Sequence, residues 1–432
     1  MKFIGDFHIH SHYSRATSKN LNAEYLDYWA RMKGINVVGT GDITHPKWIQ
    51  ELKEKFETAE DGLFRLQQKF VLENNVLLDN TPFPRFMLTG EISSIYKKNG
   101  KVRKIHNVVC APDFVTVDKI QARLVRLGAN ITSDGRPILG LDSRNLLELC
   151  LEANENILFF PAHIWTPWFA VLGDKSGFDS IEECFEDLTK HIHVVETGLS
   201  SDPPMNERCS FLDNYMLISN SDAHSPEKLG REANLFDTEL SYPSILSAWK
   251  KRDRNKFLGT LEFFPQEGKY HHDGHRKCNI SWTPEETKKH KEICSVCAKP
   301  ITVGVMNRVM QLADRKNNHT SPIKHPFFSI IPLKEILSEL KGVSPQANKI
   351  TVLYLDVLKK LGPELVVLRE TPLEEIKKSC GEELGEAIKR MRNGKVHVVP
   401  GYDGEYGRIT VFAPAELSRL GPQASLFDEI HA

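Results

Sequence analysis

The chain carries two concentrations of metal-binding side chains. The first opens it, where DFHIHSHYS contains the H-x-H pair His8 and His10. Side chains alternate along an extended segment, so both rings fall on one face and suit two bonds to one ion. Taken alone, the pair fits an exposed surface strand equally well. Acids and imidazoles recur, however, where strand-like runs end: Asp42 and His45 in GTGDITHP, Glu91 in TGEIS, His163 in PAHIW, and Asp222 with His224 in SDAHSP. His106 lies within another such run, beginning HNVV. Neutral imidazoles with bridging carboxylates suit Zn, Mn or Fe, with Mg as an alternative in assays. Two or three such ions can polarise a phosphate and activate water near neutral pH. Unrelated polar loop residues do not explain the whole set. Glu196 and Asp202 could support it or merely close a strand and a turn.

The second concentration is His275, Cys278, Cys294 and Cys297, spaced H-x2-C-x15-C-x2-C. Two pairs with two-residue spacers can each chelate from a tight turn and close a tetrahedral zinc site. With all four positions filled by protein, this zinc is structural: it stands in for a hydrophobic core in a segment too small to have one. His271 and His272 are alternative donors for the fourth position. Cys110, Cys150, Cys184, Cys209 and Cys380 are scattered singly, which in a reducing compartment reads as buried thiols.

Scaffold elements must bring residues more than two hundred positions apart into one cavity. Strand-like runs span Lys2 to Asp6, Asn36 to Gly39, Arg85 to Glu91, Lys104 to Cys110, Ile157 to Pro161, His193 to Glu196 and Met216 to Ser219, with amphipathic stretches between several of them. Seven such strands predict an α/β fold with a parallel barrel or sheet, whose βα-loops converge on one face. Past Glu262 the pattern changes. Helices are expected over Val305 to Lys316, Leu333 to Leu340, Ile350 to Leu361 and Leu373 to Met391, with short strands at Val396 to Pro400 and Arg408 to Phe412. The expected units are a barrel (1–262), a zinc module (263–304), an α+β domain (305–420) and a terminal tail (421–432).

The 432 residues carry 56 Lys+Arg against 57 Asp+Glu, and a net charge of -1 excludes a protein that coats nucleic acid or membrane by bulk charge. The sum conceals a division. Residues 1–262 hold 31 basic and 36 acidic side chains, whereas 269–324 hold 11 and 5, so a basic module follows an acidic barrel. A solvated lysine-rich surface would also account for the latter. No apolar run approaches the ~18 residues of a membrane span, and the two early histidines replace the apolar stretch of a signal peptide. A cytoplasmic location is expected.

The histidine and carboxylate motifs, in this order and spacing over residues 1 to about 240, resemble the polymerase and histidinol phosphatase (PHP) superfamily of metallophosphoesterases. The resemblance implies a distorted (β/α)7 barrel, a trinuclear site and hydroxide as nucleophile. It places one ion with His8, His10, Glu91 and Asp222, a second with Glu91, His106 and His163, and a third with His45 and His224 near Asp42. Of these, Asp222, Glu91, His8 and His10 are the catalytic candidates. One departure is visible. Many members carry a further histidine soon after H-x-H, where Ser14 and Arg15 stand here.

With GKYHHDGHRKC, CSVC, TVGVMNRVMQLADR and VVPGYDGEYGRITVF following the barrel, nearly the whole chain resembles the endonuclease Q family of DNA repair nucleases. That resemblance implies nicking of DNA 5′ of a deaminated base (uracil, hypoxanthine or xanthine) or an abasic site, near the nucleoid. Trp165, Trp168 and Phe169 could line a base pocket or form a wedge, Arg231 could contact a phosphate, and Tyr402 and Tyr406 could approach DNA. Packing would explain each of them too. In the tail, Gln423, Leu426 and Phe427 of QASLF resemble the peptide by which bacterial proteins dock on the sliding clamp. Two rivals are a small-molecule phosphatase of the histidinol-phosphate type and a non-catalytic DNA- or clamp-associated adaptor. The first leaves the zinc module and basic segment idle, and the second leaves the ligand set idle.

Overall fold

The computed structural model describes residues 1–77, 82–315, 321 and 324–417, so the tail motif of Gln423, Leu426 and Phe427 lies outside the described residues. The fold is mixed α/β. Seven strands form its centre: β1 (Lys2–Asp6), β2 (Val37–Gly39), β3 (Arg85–Lys98), β4 (Lys101–Ala111), β5 (Leu158–Pro161), β6 (Val194–Glu196) and β7 (Met216–Ile218).

Hydrogen bonds carry these strands round a ring. β1 pairs with β2 and β2 with β3 in parallel, while β3 pairs with β4 and β4 with β5 antiparallel. The Ile164 N–H donates to the Glu196 carbonyl at 3.0 Å, joining the end of β5 to β6. β6 and β7 are parallel, and an isolated bridge from Ala223 to Ile9 returns the path to β1. One apolar cluster draws on all seven, including Phe3, Val37, Met87, Val108, Phe160, Val194 and Ile218, and so fills the ring's interior.

The seven strand runs therefore occur near their expected positions, but the all-parallel arrangement does not. Asn99 (φ 52°) and Gly100 (φ 75°) form a two-residue turn between β3 and β4. Positive φ at both positions matches the right-handed twist of a hairpin, so these strands must run antiparallel.

Two further strands, β8 (Ala233–Asp237) and β9 (Phe257–Glu262), extend the sheet beside β1, and Phe327–Ser329 pairs in parallel with β9. Residues from beyond the cysteine-rich stretch thus join the sheet that contains β1. The C-terminal helices occur over Leu333–Lys341, Asn348–Leu361, Glu364–Arg369, Leu373–Cys380 and Glu382–Arg392. The single helix expected from Leu373 to Met391 is broken at Gly381, whose φ of 96° and ψ of 155° lie outside helical space.

Glu262 ends β9 wholly buried, accepting hydrogen bonds from Thr260, Thr197 (3.0 Å) and Ser219 (3.2 Å). Burial, reinforced by the charge of Asp202, pushes its carboxyl up to about 8. The folded state then holds this proton more tightly than the unfolded chain. Its contribution is fully present below the ordinary glutamate range and is lost as pH rises toward 8. Glu262→Gln should remove that loss, and its stability relative to wild type should rise between pH 5 and pH 8.5 by on the order of a few kcal/mol. Thermal melts of the metal-free protein across that range provide the check.

Candidate metal centre

β1 delivers His8 and His10, β3 delivers Glu91, and the turn after β7 delivers Asp222. The His10 Nε2 lies 3.0 Å from Asp222 Oδ1 and 3.4 Å from Glu91 Oε2. The His8 Nε2 lies 3.6 Å from Glu91 Oε1 and 3.7 Å from Asp222 Oδ1. All four side chains can present one ligand atom within 4.8 Å of the others. A second group comprises Glu91, His106 on β4 and His163 after β5. Glu91 Oε1 is 2.5 Å from His106 Nδ1 and 3.2 Å from His163 Nε2. Glu91 therefore belongs to both groups, as a carboxylate bridging two ions would.

The donor set fits divalent ions on its own chemistry. The His8 Nε2 is buried, has no hydrogen-bond partner and points toward two carboxylates. Leaving a buried polar atom orphaned is costly unless a ligand satisfies it. Burial raises the Glu91 carboxyl, but the His106 and His8 charges outweigh that and hold it well below the usual range. Burial likewise lowers His10, yet its hydrogen bonds to Asp222 and Asp42 carry it up to about 9. Protons on the His8 and His10 imidazoles balance the carboxylates of this centre, and a divalent ion bound there would take the place of those protons.

A layer behind the ligands fixes their direction. Both Glu196 oxygens approach His8 Nδ1, at 3.1 and 3.0 Å, and the same carboxylate accepts from Asn220 and from the His163 N–H. Asp42 lies 3.4 Å from His10 Nδ1 and accepts from the Ser11 N–H, the Ser11 hydroxyl and the Ser14 hydroxyl. Each carboxylate holds the Nδ1 side of a ring and leaves Nε2 to face the centre. Asp42, His163 and Asp222 all have positive φ (53°, 30° and 47°), a backbone state uncommon for such residues and concentrated here at one site.

The residues expected around a third ion do not form a convergent ligand group among the described residues. His45 Nδ1 accepts from the Trp48 N–H, capping a helix, while Nε2 lies 3.1 Å from the Thr132 carbonyl. Neither nitrogen is left for a metal. Asp42 is committed to His10, Ser11 and Ser14, so Ser14 serves as an anchor near the position where many superfamily members carry a further histidine. His224 meets the His10 ring at a tilt, 4.6 Å between centroids, and its Nδ1 is 2.9 Å from the Asp222 carbonyl. One residue escaped the sequence reading: Arg136, in the loop SDGRP, places Nη1 3.1 Å from Glu91 Oε2. No strand pattern or histidine motif marks that loop.

The aromatic candidates separate. Trp165 is fully buried and donates its indole N–H to Asn206 at 2.8 Å, which makes it core rather than DNA-facing. Phe169 packs at 4.6 Å on the His106 ring. Trp168 is 41% exposed and meets Tyr270 edge-on across a cleft of about 210 Å³, lined also by Thr166, Ser200 and His271. Thr166 Oγ1 is 3.1 Å from His163 Nδ1, so this cleft opens beside the centre. Arg231 donates to the carbonyls of Ser221 and Asp222, bracing the ligand loop instead of awaiting a phosphate. Tyr402 donates to Asn279 and packs over Gly274 within the smaller module, whereas Tyr406 stands 75% exposed with the Lys269 ammonium 4.4 Å from its ring.

In that module, His275, Cys278, Cys294 and Cys297 converge with ligand atoms within 4.8 Å of one another. His271 and His272 stack together outside the group. The module's core cluster has only Trp282, Cys294 and Ile301 as buried members, too small to order the segment unaided.

Comparisons with known proteins agree across the chain. The family description "MJ0043 C-terminal domain" matches residues 332–395. The Methanocaldococcus jannaschii protein MJ0043 is 33% identical over 270 residues, covering 61% of this chain. The aligned region spans one third (33%) of that longer protein. Bacillus subtilis YqxK is 28% identical over 390 residues, covering 87% of this chain and 89% of its own. Among solved structures, the lesion-specific endonuclease PfuEndoQ of Pyrococcus furiosus superposes with a TM-score of 0.83 at 30% identity, covering 98% of both chains. A structure of endonuclease Q with a 27-mer duplex bearing an abasic lesion at its active site gives 0.81 at 30% identity, covering 99% of this chain and 100% of that one.

The support behind the ligands is directly testable. Glu196→Gln, which leaves every direct ligand in place, should weaken metal binding by about 10- to 100-fold. Titration calorimetry with Mn or Zn measures it.

Proposed function

The chain belongs to the endonuclease Q family, and on that footing we propose that it is a metal-dependent DNA repair endonuclease. It nicks the phosphodiester 5′ of deaminated bases (uracil, hypoxanthine or xanthine) or abasic sites. The observation that carries this reading is Glu91 shared between two groups of imidazoles and carboxylates where the ends of the central strands converge.

Divalent ions held there (Zn, Mn, Fe or Mg) would polarise the scissile phosphate and activate water. His8, His10, Glu91 and Asp222 hold one position, and Glu91, His106 and His163 hold the other. Glu196 and Asp42 lock the first two imidazoles in one tautomer, while Thr166 steadies His163. The cleft of about 210 Å³ that Trp168 and Tyr270 line is where an extruded base would enter, and unstacking costs least where the base is damaged or mispaired. The basic stretch of residues 269–324, with exposed Tyr406 close to Lys269, leads the DNA backbone toward the barrel. His275, Cys278, Cys294 and Cys297 hold one structural zinc that orders this surface.

We assign cytoplasmic, nucleoid-associated repair as its setting; no described helix is long and apolar enough to cross a membrane. QASLF, with Gln423, Leu426 and Phe427, is the segment assigned to a sliding clamp.

Incubation with Mn or Zn and duplexes each bearing one uracil, hypoxanthine or abasic site should yield a nick on the 5′ side of the lesion. Asp222→Asn should lower the rate by at least about 10³-fold, given its place among the ligands. Intact strands under every metal condition would refute the reading. Cys294→Ser should cost one equivalent of zinc by elemental analysis and weaken DNA binding, while the barrel's metal content stays unchanged.

A further inference from the structure

We propose that Arg136 occupies the role of a third cation, so that the centre is two ions plus one guanidinium, and that this guanidinium holds the non-bridging oxygens of the scissile phosphodiester. The inference rests on the nuclease reading above. Two independent observations point to it: His45 and Asp42, two of the three residues expected around a third ion, are held by protein partners, and a fixed cation reaches the shared ligand of the other two.

The first follows from His45, whose ring nitrogens both have protein partners, and from Asp42, saturated by His10, Ser11 and Ser14. A metal there would have to break a helix cap and two hydroxyl bonds to gain its donors.

The second is the delivery of Arg136. Its N–H donates to Asp134 Oδ1 at 3.1 Å, and the same carboxylate accepts from the Arg15 N–H. Gly135 donates to the Tyr13 carbonyl, and a Cβ on it would lie 2.1 Å from Asp42 Oδ2, so only glycine lets this loop approach the Asp42 anchor. Pro137 accepts from the Ser93 N–H, and Ile138 registers beside Ser93 on β3, two residues beyond Glu91. The loop is thus stitched to both the strand and the anchor that set the centre, and Arg136 is held over Glu91 with its side chain 27% exposed.

Electrostatics then assigns its task. The Glu91 oxygens face the two groups of imidazoles, and ions bound there would compete for the oxygen that Arg136 now contacts. A guanidinium left beside two dications is repelled unless an anion joins it. A phosphodiester supplies two non-bridging oxygens at the spacing of the planar N–H fork. One guanidinium in place of a dication also lowers the centre's charge by one, which suits the single negative charge of a diester over the two of a monoester.

The test uses the full-length protein and its Arg136→Ala and Arg136→Lys variants. Elemental analysis after dialysis should find two barrel ions, besides the zinc, in wild type and in Arg136→Ala alike. Calorimetry with inorganic phosphate on the metal-loaded proteins should show at least a tenfold loss of affinity in Arg136→Ala. Single-turnover nicking should fall by about 10²–10³-fold, the usual cost of one oxyanion donor. Millimolar guanidinium ion should restore part of the rate in the alanine variant. A third barrel ion in wild type, loss of an ion in Arg136→Ala, or phosphate affinity unchanged by the substitution would each overturn the proposal. If no lesion is nicked by wild type, the nuclease reading fails instead, while the ion count and phosphate titration still decide the role of Arg136.

Discussion

One buried carboxylate organises this molecule. Glu91 is within 2.5 to 3.6 Å of nitrogens on His8, His10, His106, His163 and Arg136, which arrive from β1, β4 and two separate loops. A buried charge without partners is prohibitively expensive, and a buried cluster of cations is no better. Each side of the pairing therefore requires the other, and the ring must be closed to bring both sides together. The bridge from Ala223 to Ile9 matters for this reason: it sets the Asp222 loop against the H-x-H strand, with the Asp222 N–H on the His8 carbonyl at 2.8 Å.

Constraint spreads outward from that point. Glu196 ties β6 to His8, to the His163 backbone and to Asn220, so one side chain couples three ligand-bearing segments. Asp42 performs the same service for His10 while excluding any side chain at Gly135. Positive φ at Asp42, His163 and Asp222 is tolerated because these contacts over-determine each position. Precise placement of imidazoles thus comes from a second layer of carboxylates and hydroxyls, and strand geometry alone would not supply it.

The sequence made much of this legible and left the rest hidden for physical reasons. The ligands could be read because metal chemistry restricts residue type and because strand ends repeat: the members of both groups around Glu91 were all named from motifs. His45 is ambiguous because an imidazole capping a helix and one binding an ion look identical in sequence. Trp165 misled for a similar reason, since burial is a tertiary property and its neighbour Trp168 is the exposed one. Arg136 went unseen because an arginine in a polar loop has no periodicity to betray its direction. The antiparallel hairpin was readable from Asn99 and Gly100, but a parallel template for the barrel obscured it.

The ligand groups around Glu91 and the basic surplus belong to two parts of the chain. Every ligand in the two groups around Glu91 lies between His8 and Asp222, whereas the cysteine group, the basic stretch and exposed Tyr406 all follow Glu262. The parts meet where Trp168, beside the centre, faces Tyr270, at the start of the basic segment. That contact is edge-on between a partly exposed indole and its partner, so it defines a cleft without filling it. The near-neutral total charge is a cancellation between an acidic ring, whose carboxylates serve ions, and a basic remainder facing outward. On the reading proposed above, a protein so divided has little bulk attraction for undamaged duplex, and its selectivity would fall to the cleft that Trp168 and Tyr270 line.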